Sequence, residues 1–413
     1  MPVKLHSTFL KSHDLHTEPL ECHLSTFKSF MEAQGYSTAT LRSKIQIARN
    51  FSHWLHLRQM KVFDLDERSI ALFFEEKPRA GHINRGDYAT LCVLLEWLRD
   101  IKQTRPISSE VDGGNQLYCI EFEFATYLRK ERGLSDVTLH RYMPLVHSFL
   151  TERFGSNNIV LSEVGISDIT AFLLRKKCSL SCRSMQLLTT ALRSFFRFIQ
   201  YRGDIVSDMA ASVPTVADRK RSDIPKYLSA EDVERILHDC DQTTDIGRRD
   251  YAVLLLLARL GLRAGEVVAM ALDDIDWESG VITIRGKGRR LDQLPIPQDV
   301  GEALVAYLLH GRPPRHSRQV FLRARAPIKG FTNSSAIGDI VRLALTRAGL
   351  DPIRKGAHLL RHSLATYMLR QGASLSEIGE ILRHSSPNTT LIYAKVNIAA
   401  LSALALPWPG GDA

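Results

Sequence analysis

The 413-residue sequence predicts a mainly α-helical protein, with helical modules first and then a mixed α+β domain of helices and a small antiparallel sheet. Three observations predict this. Two stretches in the first half share a helical pattern with Gly and Ser at matching places. Beyond them, Val281-Ile282-Thr283-Ile284-Arg285 alternates as a strand between the turn Asp276–Gly280 and the turn Gly286-Lys287-Gly288. After Gln298 the chain again reads as helices separated by loops.

Taken in order, residues 1–110 form a front helical module and residues 111–203 a second one. Gly35, Ser37, Thr40, Leu41 and Phe51 recur 98 residues later as Gly133, Ser135, Thr138, Leu139 and Phe149. After a one-residue slip, Leu65, Ile70 and Phe73 answer to Val164, Ile169 and Phe172. Each copy reads as a helix ending at Gly, then an N-cap Ser whose hydroxyl accepts a free backbone N–H of the next helix. Trp54 and Trp97 fall in helical apolar patterns and read as core. Residues 204–226 hold Pro214, Pro225 and the cluster Asp218-Arg219-Lys220-Arg221 without helical periodicity, which marks a linker. Residues 227–402 form the mixed domain and 403–413 a tail. Within it, Ser229 opens a helix through Cys240. The apolar run in Arg248–Leu260 reads as a buried helix stopping at Gly261. The strand ending at Pro295-Ile296-Pro297 completes the hairpin.

Composition narrows the function. At 44% apolar and 24% charged, the chain is a core-forming protein. No apolar run reaches the roughly 18 residues of a membrane span, and the N-terminus lacks a secretory pattern, so a cytoplasmic protein without a membrane partner is expected. The cysteines, Cys22, Cys92, Cys119, Cys178, Cys182 and Cys240, are too sparse for a disulfide scaffold and read as buried free thiols. Cys178 and Cys182, four apart, share a face if one helix carries both, but no second pair completes a zinc site. A net charge of +9 and a pI near 9.3 fit a polyanionic partner. Between Ala303 and Gly338 lie Arg312, Arg315, Arg318, Arg323, Arg325 and Lys329 with no carboxylate, a pattern that favours a nucleic-acid-facing stretch.

Chemistry-bearing residues concentrate in four segments. Arg263, after a helix stop in an apolar setting, needs an anion, either Glu266 or a phosphate. Lys287 sits between glycines at a hairpin tip, followed by Arg289 and Arg290; alone this reads as a solvated basic turn. His358 and Arg361 are three apart at a helix N-terminus, where free N–H groups suit a phosphate. His384 sits at the end of a helix opened by the capping box Ser374 and Glu377, where the dipole favours imidazolium. Tyr393 follows nine residues later, a residue ordinarily found in cores or interfaces.

In this order the six positions resemble the tyrosine recombinase (phage integrase) family, over residues 113–402 and including Ser386-Pro387-Asn388-Thr389-Thr390. The resemblance implies a core-binding SAM-like DNA-binding module at 111–203 and a catalytic domain at 227–402. It implies a site-specific DNA recombinase of mobile-element type, an integrase or transposase, working through a 3′-phosphotyrosyl intermediate without cofactor or metal. Tyr393 is then the nucleophile, and Arg263, Arg361 and His384 hold the phosphate. Lys287 protonates the leaving 5′-oxygen and His358 serves as base toward Tyr393. Arg219, Lys220, Arg221, Arg289 and Arg290 are the expected DNA contacts. Partners implied are double-stranded recombination sites and a homotetramer, or a hetero-assembly with related recombinases, in a prokaryotic cytoplasm at the nucleoid. A chromosome- or plasmid-dimer resolving enzyme, a related topoisomerase and a catalytically silent DNA-binding regulator are the alternatives. Two departures stand out. The front module, with 15 Lys and Arg against 13 Asp and Glu, is an addition suited to accessory DNA sites or subunit contacts. The second is Arg383 where the family usually has Gly; at a helix end beside a DNA-facing site it is expected to cost little. The apolar segment Ile398–Leu406 suits docking on a neighbouring subunit or on its own domain.

Overall fold

Helices cover most of residues 18–76, 85–105, 116–155, 158–217, 226–286, 290–384 and 386–396, the residues described by the computed structural model. The chain divides into two units, Met1–Arg105 with Ile224–Ala413, and Pro106–Asp223.

In the first unit, α1 (Glu21–Ala33), α2 (Thr38–Leu57), α3 (Glu67–Glu76) and α4 (Arg85–Asp100) close around Phe27, Met31, Phe51, Phe73 and Leu98. Trp97 belongs to this core and Trp54 packs against it, its indole N–H donating to Glu76 (3.0 Å). The second unit repeats the order. Its helices are α5 (Gln116–Lys130), α6 (Asp136–Phe154), α7 (Ile166–Lys177), α8 (Cys182–Arg202) and the short α9 (Met209–Ser212). Ser37 and Ser135 occupy matching N-cap positions, and a 3₁₀ turn precedes the third helix in both. The expected cap bond forms at Ser37 alone, from the Thr40 N–H (3.3 Å); the Ser135 hydroxyl instead meets that of Thr138 (3.2 Å). The cores match as well. Phe51 meets Phe73 and Phe149 meets Phe172 edge-to-face, each pair with ring centroids 5.2 Å apart. Similar sequence thus produces the same aromatic contact twice, because both rings project inward from equivalent helix faces.

The rest of the first unit comprises α10 (Ala230–His238), α11 (Asp245–Arg259), α12 (Ala264–Ala269), β1 (Ile275–Asp276), β2 (Val281–Arg285) and β3 (Leu291–Pro295), then α13 (Gln298–His310) and α14 (Ser335–Arg347). It ends with α15 (Ala357–Arg370), α16 (Leu375–Ile381), α17 (Pro387–Thr390) and a 3₁₀ turn, Leu391–Val396. The sheet is antiparallel in the order β1-β2-β3, with Ile282 opposite Leu294. Ile282 and Ile284 turn inward, as the alternation requires. Ser229 caps α10, accepting from the Asp232 N–H (3.1 Å). The apolar α11 lies at the centre of the core, with Ala252 to Leu257 essentially inaccessible.

Several expectations are corrected. Helix α11 begins three residues before the apolar run suggests, under a Thr244 cap, and buries the Arg249–Asp250 ion pair (2.7 Å) in its polar first turns. Helix α10 stops at His238, short of Cys240. Among the six thiols only Cys240 is buried; Cys22 and Cys178 are exposed, since they occupy outer helix faces and helix ends. Cys178 ends α7 while Cys182 begins α8 under its own Ser181 cap, so no single helix aligns them.

The basic stretch is largely occupied by structural work. Arg312 donates to the carbonyls of Ser317, Gln319 and Val320, and Arg318 pairs with Asp273. Arg315 Nη1 donates to the carbonyl of Ala33 (2.7 Å) and the Ile328 N–H to that of Gln34 (2.9 Å). The carbonyls left open at the end of α1 are thereby satisfied from the loop between α13 and α14. Only Arg323, Arg325 and Lys329 retain the expectation of a nucleic-acid face. Among the described residues, no helix is long and apolar enough to cross a membrane.

Gly35 and Gly133 both adopt left-handed backbones, at φ 87° and 59°. A Cβ on Gly35 would lie 2.6 Å from Ile328 Cδ1, whereas one on Gly133 meets nothing within 4 Å among the described residues. Gly133→Ala therefore costs only the left-handed penalty of about 1–2 kcal/mol, while Gly35→Ala also pries the junction apart. Hydrogen exchange at the Ile328 amide checks this: it accelerates in Gly35→Ala and is unchanged in Gly133→Ala.

Candidate active site

The end of α11 begins the site. Gly261 has φ +56°, and a Cβ there would sit 2.6 Å from Leu382 Cδ2, so a side chain would push the two segments apart. The turn delivers Arg263 to the N-cap of α12, where Glu266 reaches back to its N–H (2.8 Å) and its guanidinium (2.6 Å). The anion that Arg263 needs is thus Glu266. Its remaining prong, Nη2, donates to the carbonyl of Arg383 (3.1 Å).

Arg361, in the second turn of α15, is 4% exposed and donates to the carbonyls of Gly261 and Leu382. Burial, reinforced by the charges of Arg263 and Arg383, lowers its pKa to about 10, so it stays cationic at neutral pH. Glu266 remains ionised. Burial would raise its carboxyl, but the Arg263 N–H and the charges of Arg383 and Arg263 outweigh that and hold it below the usual carboxylate range.

Arg383 departs from its expected role. It takes φ +54°, a conformation costing a residue with a Cβ about 1–2 kcal/mol. Its side chain is not on the surface. It is buried, with Nη2 on Glu266 Oε2 (2.8 Å), Nη1 on the Ile381 carbonyl (3.1 Å) and Nε without a partner.

Tyr393 lies in the 3₁₀ turn after α17, 1% exposed, packed in a small apolar cluster with Ala365, Ile378 and Leu382. Burial pushes its phenol up to about 12, the nearby Arg361 charge offsetting only part of this. The residue on its hydroxyl is His362, through Nδ1 at 2.8 Å. His358, the expected base, is exposed one turn earlier, its ring 6.4 Å from that of His362. The ring of His384 stacks on Tyr393 at 6.4 Å with planes 6° apart, and its Nδ1 bonds the Thr390 hydroxyl (2.7 Å). His384 does not carry the charge that its helix end suggests. Burial and the charges of Arg361 and Arg263 lower its pKa to about 4, and burial with His358 and Arg361 lowers His362 to about 4. A single short helix contributes less than three neighbouring guanidiniums.

The structure therefore gathers Arg263, Arg361, His384 and Tyr393, with His358 at the rim. Sequence reasoning gave no role to His362, although it directly follows Arg361, and none to Thr390. Arg290 is exposed and pairs with Asp292 (3.1 Å) where the hairpin turn enters β3. Lys287, Arg289, Arg219, Lys220, Arg221 and the segment Ile398–Leu406 lie outside the described residues.

A positively charged nest beside a buried tyrosine, in a helical domain with a small sheet, is the arrangement that the resemblance to tyrosine recombinases implies. Comparison with known proteins agrees. The family model described as "Phage integrase family" matches residues 226–399, and that of its N-terminal SAM-like domain matches residues 122–203. A putative integrase/recombinase of Sinorhizobium fredii, y4rA, is 43% identical over 395 residues, covering 95% of both chains. The tyrosine recombinase XerD of Listeria innocua is 31% identical over 282 residues, 66% of this chain and 93% of that protein. In fold, the chain is similar to the XerH recombinase bound to a palindromic difH substrate after cleavage (TM-score 0.54, 20% identity, 72% of this chain and 89% of that one). It is likewise similar to a lambda integrase dimer bound to a COC′ core site (TM-score 0.52, 18% identity, 71% and 98%). The chain belongs to the phage integrase family of tyrosine recombinases.

The two depressed histidines predict a pH dependence of stability. Between about pH 6.5 and 4 the unfolded chain binds protons that folded His362 and His384 refuse, so stability falls as pH falls through that window and is level above it. Each histidine contributes at most about 1.4 kcal/mol per pH unit, and the partly exposed His384 less. Urea titrations at pH 7 and pH 5 should show the loss, and His362→Gln should shrink it.

Proposed function

We propose that this protein cuts and rejoins DNA at specific sites through a 3′-phosphotyrosyl intermediate, and that it serves integration or transposition of a mobile element. The observation carrying the chemistry is the convergence of Arg263, Arg361 and His384 on one side of a hydrogen-bonded tyrosine. The extent of similarity supports the biological role. The match to y4rA includes the front module, whereas the XerD match covers 66% of this chain and nearly all of XerD. A dimer-resolving role would not need the added module.

In this reading the Tyr393 oxygen attacks the scissile phosphorus and the 5′-oxygen leaves, so one phosphoester replaces another and rejoining needs no external energy. Arg263 and Arg361 receive the charge that develops on the non-bridging oxygens, with His384 as a further donor. Lys287 gives a proton to the departing 5′-oxygen. His362 holds the hydroxyl of the sequestered tyrosine, and His358 takes its proton once Tyr393 has moved to the phosphate. No step calls on a metal or nucleotide. Double-stranded sites are gripped chiefly through phosphates, with Arg219, Lys220, Arg221, Arg289 and Arg290 as contacts, in a tetramer of this chain or with related recombinases. The setting is the prokaryotic cytoplasm, at the nucleoid.

Incubation with nicked duplexes spanning the ends of the genetic element that carries the gene tests this reading. An SDS-resistant protein–DNA adduct forms with wild type and is lost in Tyr393→Phe. Arg361→Lys slows it by about 10²–10³-fold, because a point charge cannot replace the fork that spans two loops. Salt-sensitive binding without any adduct would favour the silent regulator instead.

A further inference from the structure

We infer that Arg383 is a positioning residue: by occupying Glu266 Oε2 it limits Glu266 to one prong of the Arg263 guanidinium, so that the other prong is available to the scissile phosphate. The inference rests on the proposed strand-transfer chemistry and deepens it.

Three observations converge on this residue. Its backbone is left-handed at φ +54°; among the described residues the other non-glycine positions of positive φ, Gln59 and Lys102, are exposed loop positions, whereas Arg383 is buried. Such outliers persist only where surrounding contacts enforce them, and they concentrate at functional sites. Next, its guanidinium occupies Glu266 Oε2 at 2.8 Å. An arginine–carboxylate pair is strongest when two N–H groups meet two oxygens. With Oε2 shared between Arg383 and the Arg263 backbone N–H, the Arg263 guanidinium reaches Oε1 alone, at 2.6 Å. Finally, the left-handed turn aims the Arg383 carbonyl at the second prong, Arg263 Nη2, at 3.1 Å. That neutral acceptor is readily exchanged for a phosphate oxygen, while a second carboxylate oxygen is not. Side-chain exposure agrees with this division: Arg263 is 37% exposed, Glu266 6% and Arg383 4%, so the guanidinium that opens to solvent is Arg263.

Without Arg383, Glu266 can turn both oxygens onto the Arg263 guanidinium and withdraw its second prong from substrate. Glycine at this position would relieve the backbone while removing the restraint. Fold maintenance and catalysis are therefore expected to separate.

The experiment uses the full-length protein and the nicked duplex described above, reading single-turnover adduct formation and DNA affinity by filter binding. Arg383→Gly should bind DNA within about threefold of wild type yet form adduct at least tenfold more slowly. Arg383→Lys, which keeps a cation at Glu266, should retain a third or more of the wild-type rate. The decisive variant is Glu266→Gln in the Arg383→Gly background. Glutamine keeps one acceptor for the Arg263 N–H but no longer competes for its charge, so the double variant should cleave faster than Arg383→Gly alone. A pair that merely supports the fold would make the double variant slower. Should Arg383→Gly lose its helical circular dichroism, Arg383→Gln carries the same expectations. Wild-type rates in Arg383→Gly, equal losses in the Gly and Lys variants, or a double variant slower than the single overturn the inference while the Tyr393 adduct stands. Absence of any adduct from wild type removes the strand-transfer reading, and this inference with it.

Discussion

One buried carboxylate surrounded by guanidiniums organises the catalytic region. Glu266 bonds Arg263 and Arg383, while Arg361 ties the Gly261 and Leu382 carbonyls together beside them. A lone buried charge is prohibitively costly, so each member depends on the others remaining in place. The three cations and one anion join the turn after α11 to the turn after α16, and α15 supplies the bridge. The group carries excess positive charge, and a DNA phosphate is the kind of ligand that completes it. His384, Thr390 and Tyr393 follow the second turn, so their positions descend from the same cluster.

The tyrosine is held in the opposite electrical condition. Its surroundings are apolar, its phenol is pushed up to about 12, and its hydrogen-bond partner His362 is lowered to about 4. Neither group is primed for proton transfer in this arrangement. Burial first, and the neighbouring cations after it, depress both histidines. DNA can favour an emerged tyrosine only to the extent that it binds that state more tightly.

The front of the chain shows how sequence similarity turns into packing. The Phe51–Phe73 and Phe149–Phe172 contacts share one geometry because their positions on matching helices are the same. What differs between the copies is what covers the glycine after the first helix. A Cβ on Gly35 would meet Ile328 and Arg315, whereas one on Gly133 would meet nothing within 4 Å among the described residues. The cations of 312–318 are consumed in that junction and in shaping the loop itself, which composition could not reveal.

Local rules read directly from the sequence determined the helical class, the Ser229 and Ser374 caps, strand Val281–Arg285 and the order of the site segments. Caps, alternation and turns depend on residues within a few positions of one another, so they are legible without tertiary context. The polar start of α11 was harder to see because its Arg249–Asp250 pair masks a buried helix as a surface one. The partners of the site are another matter. Glu266 and Arg383 are 117 residues apart, and Arg361 lies 100 residues from the Gly261 carbonyl it holds. Only the folded chain decides that His362 rather than His358 touches Tyr393, that His384 is neutral, and that Arg383 points inward. Burial and field are sums over distant neighbours, and no short window of sequence contains them.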